Sequence, residues 1–410
     1  MALDGRLGAG LAILVFSLAF PYLYDRYQGF KLILDNAPEK LPNISAFASA
    51  EIKFRDEVKN CEDVVMDESR GIAFLSCDPT RDHWDTIMVG SHLPSQMEYN
   101  ICKAATDELS QGTSRITDPS DAGGIYKFDY ASNPNTVVRL PLSNFPDPLD
   151  FHPLGITYRA PSSTFFVVNH RSSGPAIEVF SYTDGNTGSL HHVRTLTHPL
   201  IHTPNALTAL SATSLLITND HYFSIRKWPF LSTVEAYLAL PIGSITHLDI
   251  SAPDAVSATQ LARLPLPNGI AMMNETSLAV ASSSRPGVYF YDVHCPSDGK
   301  IKLELKRVIK TRFAPDNLRI DAQGRLLVAG HPHPPSVEKA MQWSKRADHS
   351  TDAEARPRSP SWVAEWDGGR ARDLYVGGEY GFSSTAVRDV GRGVVVVVGL
   401  FERGVLVGRE

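Results

Sequence analysis

The sequence predicts an all-β protein: a six-bladed β-propeller behind an N-terminal hydrophobic signal-anchor helix. Three observations carry that prediction. Six apolar runs look alike: IAFLSC (72–77), FFVVNH (165–170), LLITND (215–220), SLAVAS (277–282), LLVAGH (326–331) and VVVVVG (394–399). Gly, Pro, Asn, Asp or Ser bounds each run, and helical periodicity is scarce after residue 45, the pattern of strands and turns. The runs start 93, 50, 62, 49 and 68 residues apart, the uneven spacing that blades with variable loops produce. Such apolar runs mean strands covered on both faces, as blades are by their neighbours. A pair of packed sheets is the competing architecture.

Taken in order, the chain begins with Leu7 to Tyr24, eighteen residues without a charge. That length lies between a signal-peptide core and a membrane span. Residues 1–30 therefore read as an uncleaved signal-anchor or a cleaved signal peptide, with a buried helix as the remaining option. Either of the first two places residues 38–410, the propeller, in the secretory pathway, and an uncut segment would tether it to a membrane. Two sequons, at Asn43 and Asn274, are candidate glycosylation sites there. Cys61, Cys77, Cys102 and Cys295 allow three full pairings, and any bridge is expected among the first three. Residues 92–124 and 334–360 break the rhythm and read as insertions, the second a polar surface excursion with room for one short helix.

Composition narrows the function. With 39 basic against 45 acidic residues the net charge is −6, which excludes nucleic acid as the principal partner. The informative residues are polar and stand where strands begin or end: Glu62 and Asp63, Asn205, the trio Asn219, Asp220 and His221, Asn268, and Asp316 with Asn317. A hard cation takes six to eight oxygen ligands from carboxylates and amides. Two carboxylates and three amides from four repeats would supply such a set at a propeller axis, leaving positions for water and substrate. Taken singly, each is an ordinary turn or cap residue, as Asn268-Gly269 would be; recurrence at equivalent points of successive repeats distinguishes the group.

The motifs NGIAM, DNLRID followed by GHP, TNDHYF and the early CEDVV resemble the paraoxonase/arylesterase family from about residue 38 to 410, with TNDHYF (218–223) the most specific. The resemblance implies a calcium-dependent six-bladed propeller. It assigns Glu62, Asn205, Asn268, Asp316 and Asn317 to a catalytic Ca²⁺. It assigns His170 to one half of a histidine dyad, and Asp63 with the Ile156 carbonyl to a second, structural ion. Three positions depart from that pattern. Leu154 stands where the other dyad histidine belongs, with His152 two residues earlier. Ala206 replaces a carboxylate of the structural site. A terminal disulfide is absent, since Ile44 and Gly408 fall near its positions.

The expected activity is hydrolysis of lactones or aryl esters, small and apolar, with a cation polarising the carbonyl and histidine assisting water. Leu154 leaves a second class open, a non-hydrolytic cyclase or cycloaddition catalyst acting on a polyketide- or terpenoid-like intermediate. A non-catalytic binding propeller is the third. His221 is expected to brace the fold rather than transfer a proton.

Overall fold

The computed structural model describes residues 5–82, 122–185, 188–295, 300–344 and 356–410. Among the described residues six sheets stand around one axis, antiparallel except where the short strand Leu142–Ser143 pairs parallel with Ser189–Leu196. Their first strands are Cys61–Asp67, Pro153–Arg159, Pro204–Ala209, Pro267–Asn274, Ala314–Ile320 and Ser383–Asp389, and these touch in a closed ring that lines the channel. The six apolar runs form the second strand of each blade, Ile72–Cys77 through Val394–Gly399. Val394, Val396 and Val398 pack toward the first blade, whereas Val395 and Val397 pack toward the fifth. Alternation of side chains across a strand thus turns an unbroken apolar run into two apolar faces.

Among the described residues, ring closure uses no covalent bond between the ends. Ser49–Lys53 pairs antiparallel with Val405–Arg409 and completes the last blade. A Cβ at Gly408 would lie 2.7 Å from the Phe47 ring, so the closing strand needs a glycine there. Within the first blade, Cys61 and Cys77 form a disulfide; Cys295 is exposed and unbridged, and Cys102 lies outside the described residues.

Among the described residues, three helices cover one end of the channel: α1 (Gly5–Asp35), α2 (Pro229–Tyr237) and α3 (Pro334–Ser344). α1 outlasts the expected N-terminal segment. Its second half docks on the propeller through Arg26 Nη1 to the Ser284 carbonyl at 2.9 Å and Tyr22 Oη to the Leu238 carbonyl at 2.5 Å; just beyond it, Asn36 Nδ2 reaches the Arg312 carbonyl at 2.6 Å. Among the described residues no helix is long and apolar enough to cross a membrane. The start of the 334–360 stretch is not a surface excursion, because Val337, Ala340 and Met341 of α3 are buried against Phe382, Leu400 and Phe401. Residues 345–355, and most of the 92–124 insertion, lie outside the described residues.

Candidate active site and metal centre

Every blade carries the same irregularity. Pairing between first and second strands slips at Cys61/Asp63, Pro153/Ile156, Pro204/Leu207, Pro267/Ile270, Pro315/Leu318 and Ser383/Thr385. A bulge bends the strand and re-aims the extra side chain. Glu62, Asn205, Asn268, Asp316 and Asn317 all occupy these slipped positions. Asn268-Gly269 is consequently no turn. A Cβ on Gly269 would come within 2.5 Å of the Asn317 Cα and the Leu318 nitrogen, so close approach of neighbouring inner strands is what requires the glycine.

Four of the five residues, Glu62, Asn205, Asn268 and Asp316, line one cavity beneath the three helices. Asn317 joins them through Nδ2, which donates to Glu62 Oε1 at 2.7 Å and Thr385 Oγ1 at 2.9 Å. All five are buried. Asn268 Nδ2 donates to Ser283 Oγ at 3.3 Å, and His331 Nε2 to Asp316 Oδ2 at 3.0 Å. These bonds hold the nitrogens of Asn268 and Asn317 and turn their oxygens free. Glu62 Oε2, Asn205 Oδ1, Asn268 Oδ1 and Asn317 Oδ1 are buried with no hydrogen-bond partner. Leaving one such group unmet costs about 1–3 kcal/mol, so four in one place ask for a common partner. Burial, then the charges of Asp63 and Asp316, push the Glu62 carboxyl well above the usual range, which marks uncompensated negative charge. The chemistry of this donor set, hard neutral and anionic oxygens, fits a calcium ion.

Two histidines face the same cavity. His221 Nδ1 lies 3.0 Å from Asp220 Oδ1, and its Nε2 is buried without a partner. Burial would lower its basicity, but Asp220 outweighs that and raises its pKa above the ordinary histidine value. His331 is tied to Asp316 as above, with Nδ1 unpartnered.

The expected dyad sits elsewhere. His170 lines a smaller adjoining pocket, and its Nε2 donates to the Pro204 carbonyl at 2.7 Å. Burial pushes its pKa down to about 4. His152 is buried with Nδ1 3.0 Å from Asp78 Oδ2. Leu154 packs between blades two and three against Phe166, Val168 and Leu207, and does not line the cavity. Asn219 is structural: its Oδ1 accepts from the backbone of His202 and Thr203, and its Nδ2 donates to the Leu200 carbonyl.

The second expected site holds a cation already. Asp63 is 1% exposed, and Arg319 Nη2 donates to both of its oxygens at 2.5 Å and to the Ile156 carbonyl at 3.2 Å. The two groups assigned to a structural ion therefore do not fit one. Sequence reasoning overlooked Arg319, although it stands two residues past Asn317 on one strand and so shares its face.

A family model for arylesterases matches residues 111–346, more than half of the chain. Serum paraoxonase/arylesterase 2 of Canis lupus familiaris is 29% identical over 220 residues, 52% of this chain and 59% of its own length. Serum paraoxonase/arylesterase 1 of Mus musculus is 29% identical over 222 residues, 53% of this chain and 59% of its own. The match thus spans 59% of the length of these curated relatives. Among solved structures, a gluconolactonase of Xanthomonas campestris superposes with a TM-score of 0.50 at 13% identity, over 90% of this chain and 93% of that one, a likeness of fold.

Proposed function

The chain belongs to the arylesterase family, and on that premise we propose that it is a calcium-dependent hydrolase of lactones or aryl esters. One observation carries the reading: four unpartnered buried oxygens gathered from four blades beside one cavity. Glu62, Asn205, Asn268, Asp316 and Asn317 would hold the ion. When bound, calcium supplies a Lewis acid for the substrate carbonyl and the charge developing on its oxygen. Apolar walls such as Phe30, Ile33 and Leu266 suit a small apolar substrate and exclude water from its non-reacting parts.

His221 is the better-placed base. Asp220 accepts from Nδ1–H, which leaves the Nε2 lone pair toward the cavity. Nε2 takes a proton from water as the water oxygen adds to the carbonyl carbon. The tetrahedral centre then expels the alkoxide or phenoxide oxygen, and that oxygen recovers the proton. His331 is committed to Asp316, so its role is to orient a ligand. His170 and His152, bonded to Pro204 and Asp78, stay in this proposal as supports of the inner strands. The Cys61–Cys77 disulfide supports the secretory pathway, an oxidising compartment. Asn43 and Asn274 are exposed, as acceptors of glycan must be.

The test is hydrolysis of a lactone series and of phenyl acetate by the full chain, with calcium and then with chelator. Activity abolished by the chelator and restored by calcium supports the proposal. Calcium-loaded protein that hydrolyses neither class overturns it.

A further inference from the structure

The Asp63 carboxylate lies one residue from Glu62 and is as deeply buried, yet none of its oxygens lacks a partner. Oδ1 accepts from the Val64 nitrogen at 2.8 Å and Thr385 Oγ1 at 3.0 Å, and Oδ2 from the Ile156 nitrogen at 2.8 Å. Arg319 Nη2 meets both oxygens. The same guanidinium is itself held by the inner strands: Nε donates to the Val64 carbonyl at 3.1 Å, Nη1 to the Leu318 carbonyl at 3.1 Å and Nη2 to the Ile156 carbonyl at 3.2 Å. One side chain from blade five thereby joins the inner strands of blades one and two across the axis. Ala206, buried in the inner strand of blade three, offers no side-chain oxygen to compete.

We propose that Arg319 is a resident cation that takes the place of a second metal ion at the propeller axis, so that the chain binds one divalent ion and not two. The hub ion then serves chemistry alone, and the scaffold keeps its own charge balance. An exchangeable ion stabilises a fold in proportion to the logarithm of its concentration. A tethered guanidinium does so at any calcium level, and its five N–H donors serve the carboxylate and three carbonyls together, where an ammonium has only three donors. Burial pushes Asp63 toward protonation; Arg319 and two backbone N–H groups oppose it. The inference does not depend on the substrate or on hydrolysis.

The experiment is metal content of the full chain by mass spectrometry after equilibration with millimolar calcium, together with melting temperatures in calcium and in chelator. Wild type, R319A, R319K and the double variant D63N/R319M are compared. One ion per wild-type chain is expected. R319A should melt about 5–10 °C lower in chelator, because a buried carboxylate loses its partner. Calcium should restore part of that loss and bring the ion count toward two. R319K should fall between wild type and R319A. If R319A does not fold, D63N/R319M decides, since removing both charges should cost less than removing one. Two ions per wild-type chain, or an R319A melting point equal to wild type, would overturn the inference. A wild-type count of zero with the R319A loss intact would overturn the calcium reading of the hub and uphold the resident cation.

Discussion

Glu62 and Asp63 are consecutive residues of one strand, both almost fully buried, and they meet opposite fates. Around Asp63 every oxygen is bonded and a guanidinium balances the charge. Around Glu62 the neighbours are a second carboxylate and amide oxygens turned inward, and four atoms go unpartnered. The difference separates the part of the axis that is scaffold from the part proposed to hold an ion. A satisfied buried ion network rigidifies, whereas an unsatisfied one costs stability, a cost that an ion held by the four oxygens together would offset.

Substitutions can separate the two regions. The largest effect is expected at the reserved one: E62Q should lower hydrolysis about 1,000-fold or more by weakening calcium binding. In metal-free protein the same change should raise the melting point, because it removes a charge from an acidic cluster. D63N should do the reverse, with a lower melting point and hydrolysis within about tenfold at permissive temperature. Kinetics and thermal melts on both variants check this, and equal behaviour would erase the distinction. The sign for Glu62 follows from its raised pKa. Its contribution to metal-free stability is present below the ordinary glutamate value and is lost as pH rises through the folded value.

Next in size, H221Q should reduce kcat about 100- to 1,000-fold and remove the acidic limb of the pH–rate profile, a limb expected above the ordinary histidine pKa. H170Q should leave kcat nearly unchanged. A smaller effect is thermodynamic. His170 is neutral in the fold, with a pKa of about 4, and an unfolded histidine titrates near 6.5. Its contribution is present above about pH 6.5 and is lost as pH falls toward 4, roughly 3 kcal/mol in all. Urea melts across that range should show the loss, and H170Q should flatten it. The smallest change is expected from S283A, which frees the Asn268 amide to rotate. Calcium affinity should drop about tenfold, read by calorimetry, with the fold intact.

Much of this was legible in the chain. The six apolar runs became the six second strands, because period-two alternation and burial on both faces leave a local signature. The five oxygen donors were legible as polar residues recurring at equivalent repeat positions. Their nature was not, since Asn268-Gly269 reads locally as a turn and only the packing of inner strands shows a bulge. The histidines were harder. His170 and His221 both stand at the C-terminal end of a second strand, one residue before its end and two residues past it. Which of them faces the cavity depends on whether Pro204 or Asp220 takes the other side of the ring.

By itself the sequence determined the repeat number and the all-β class, and it singled out the hard oxygen side chains that the inner strands gather, because strand periodicity and donor chemistry are local properties. Only the tertiary structure decided that α1 roofs the cavity, that Leu154 faces an apolar seam, and that Arg319 reaches Asp63. Arg319 and Asp63 are 256 residues apart, and closing the ring is what brings them within hydrogen-bonding distance.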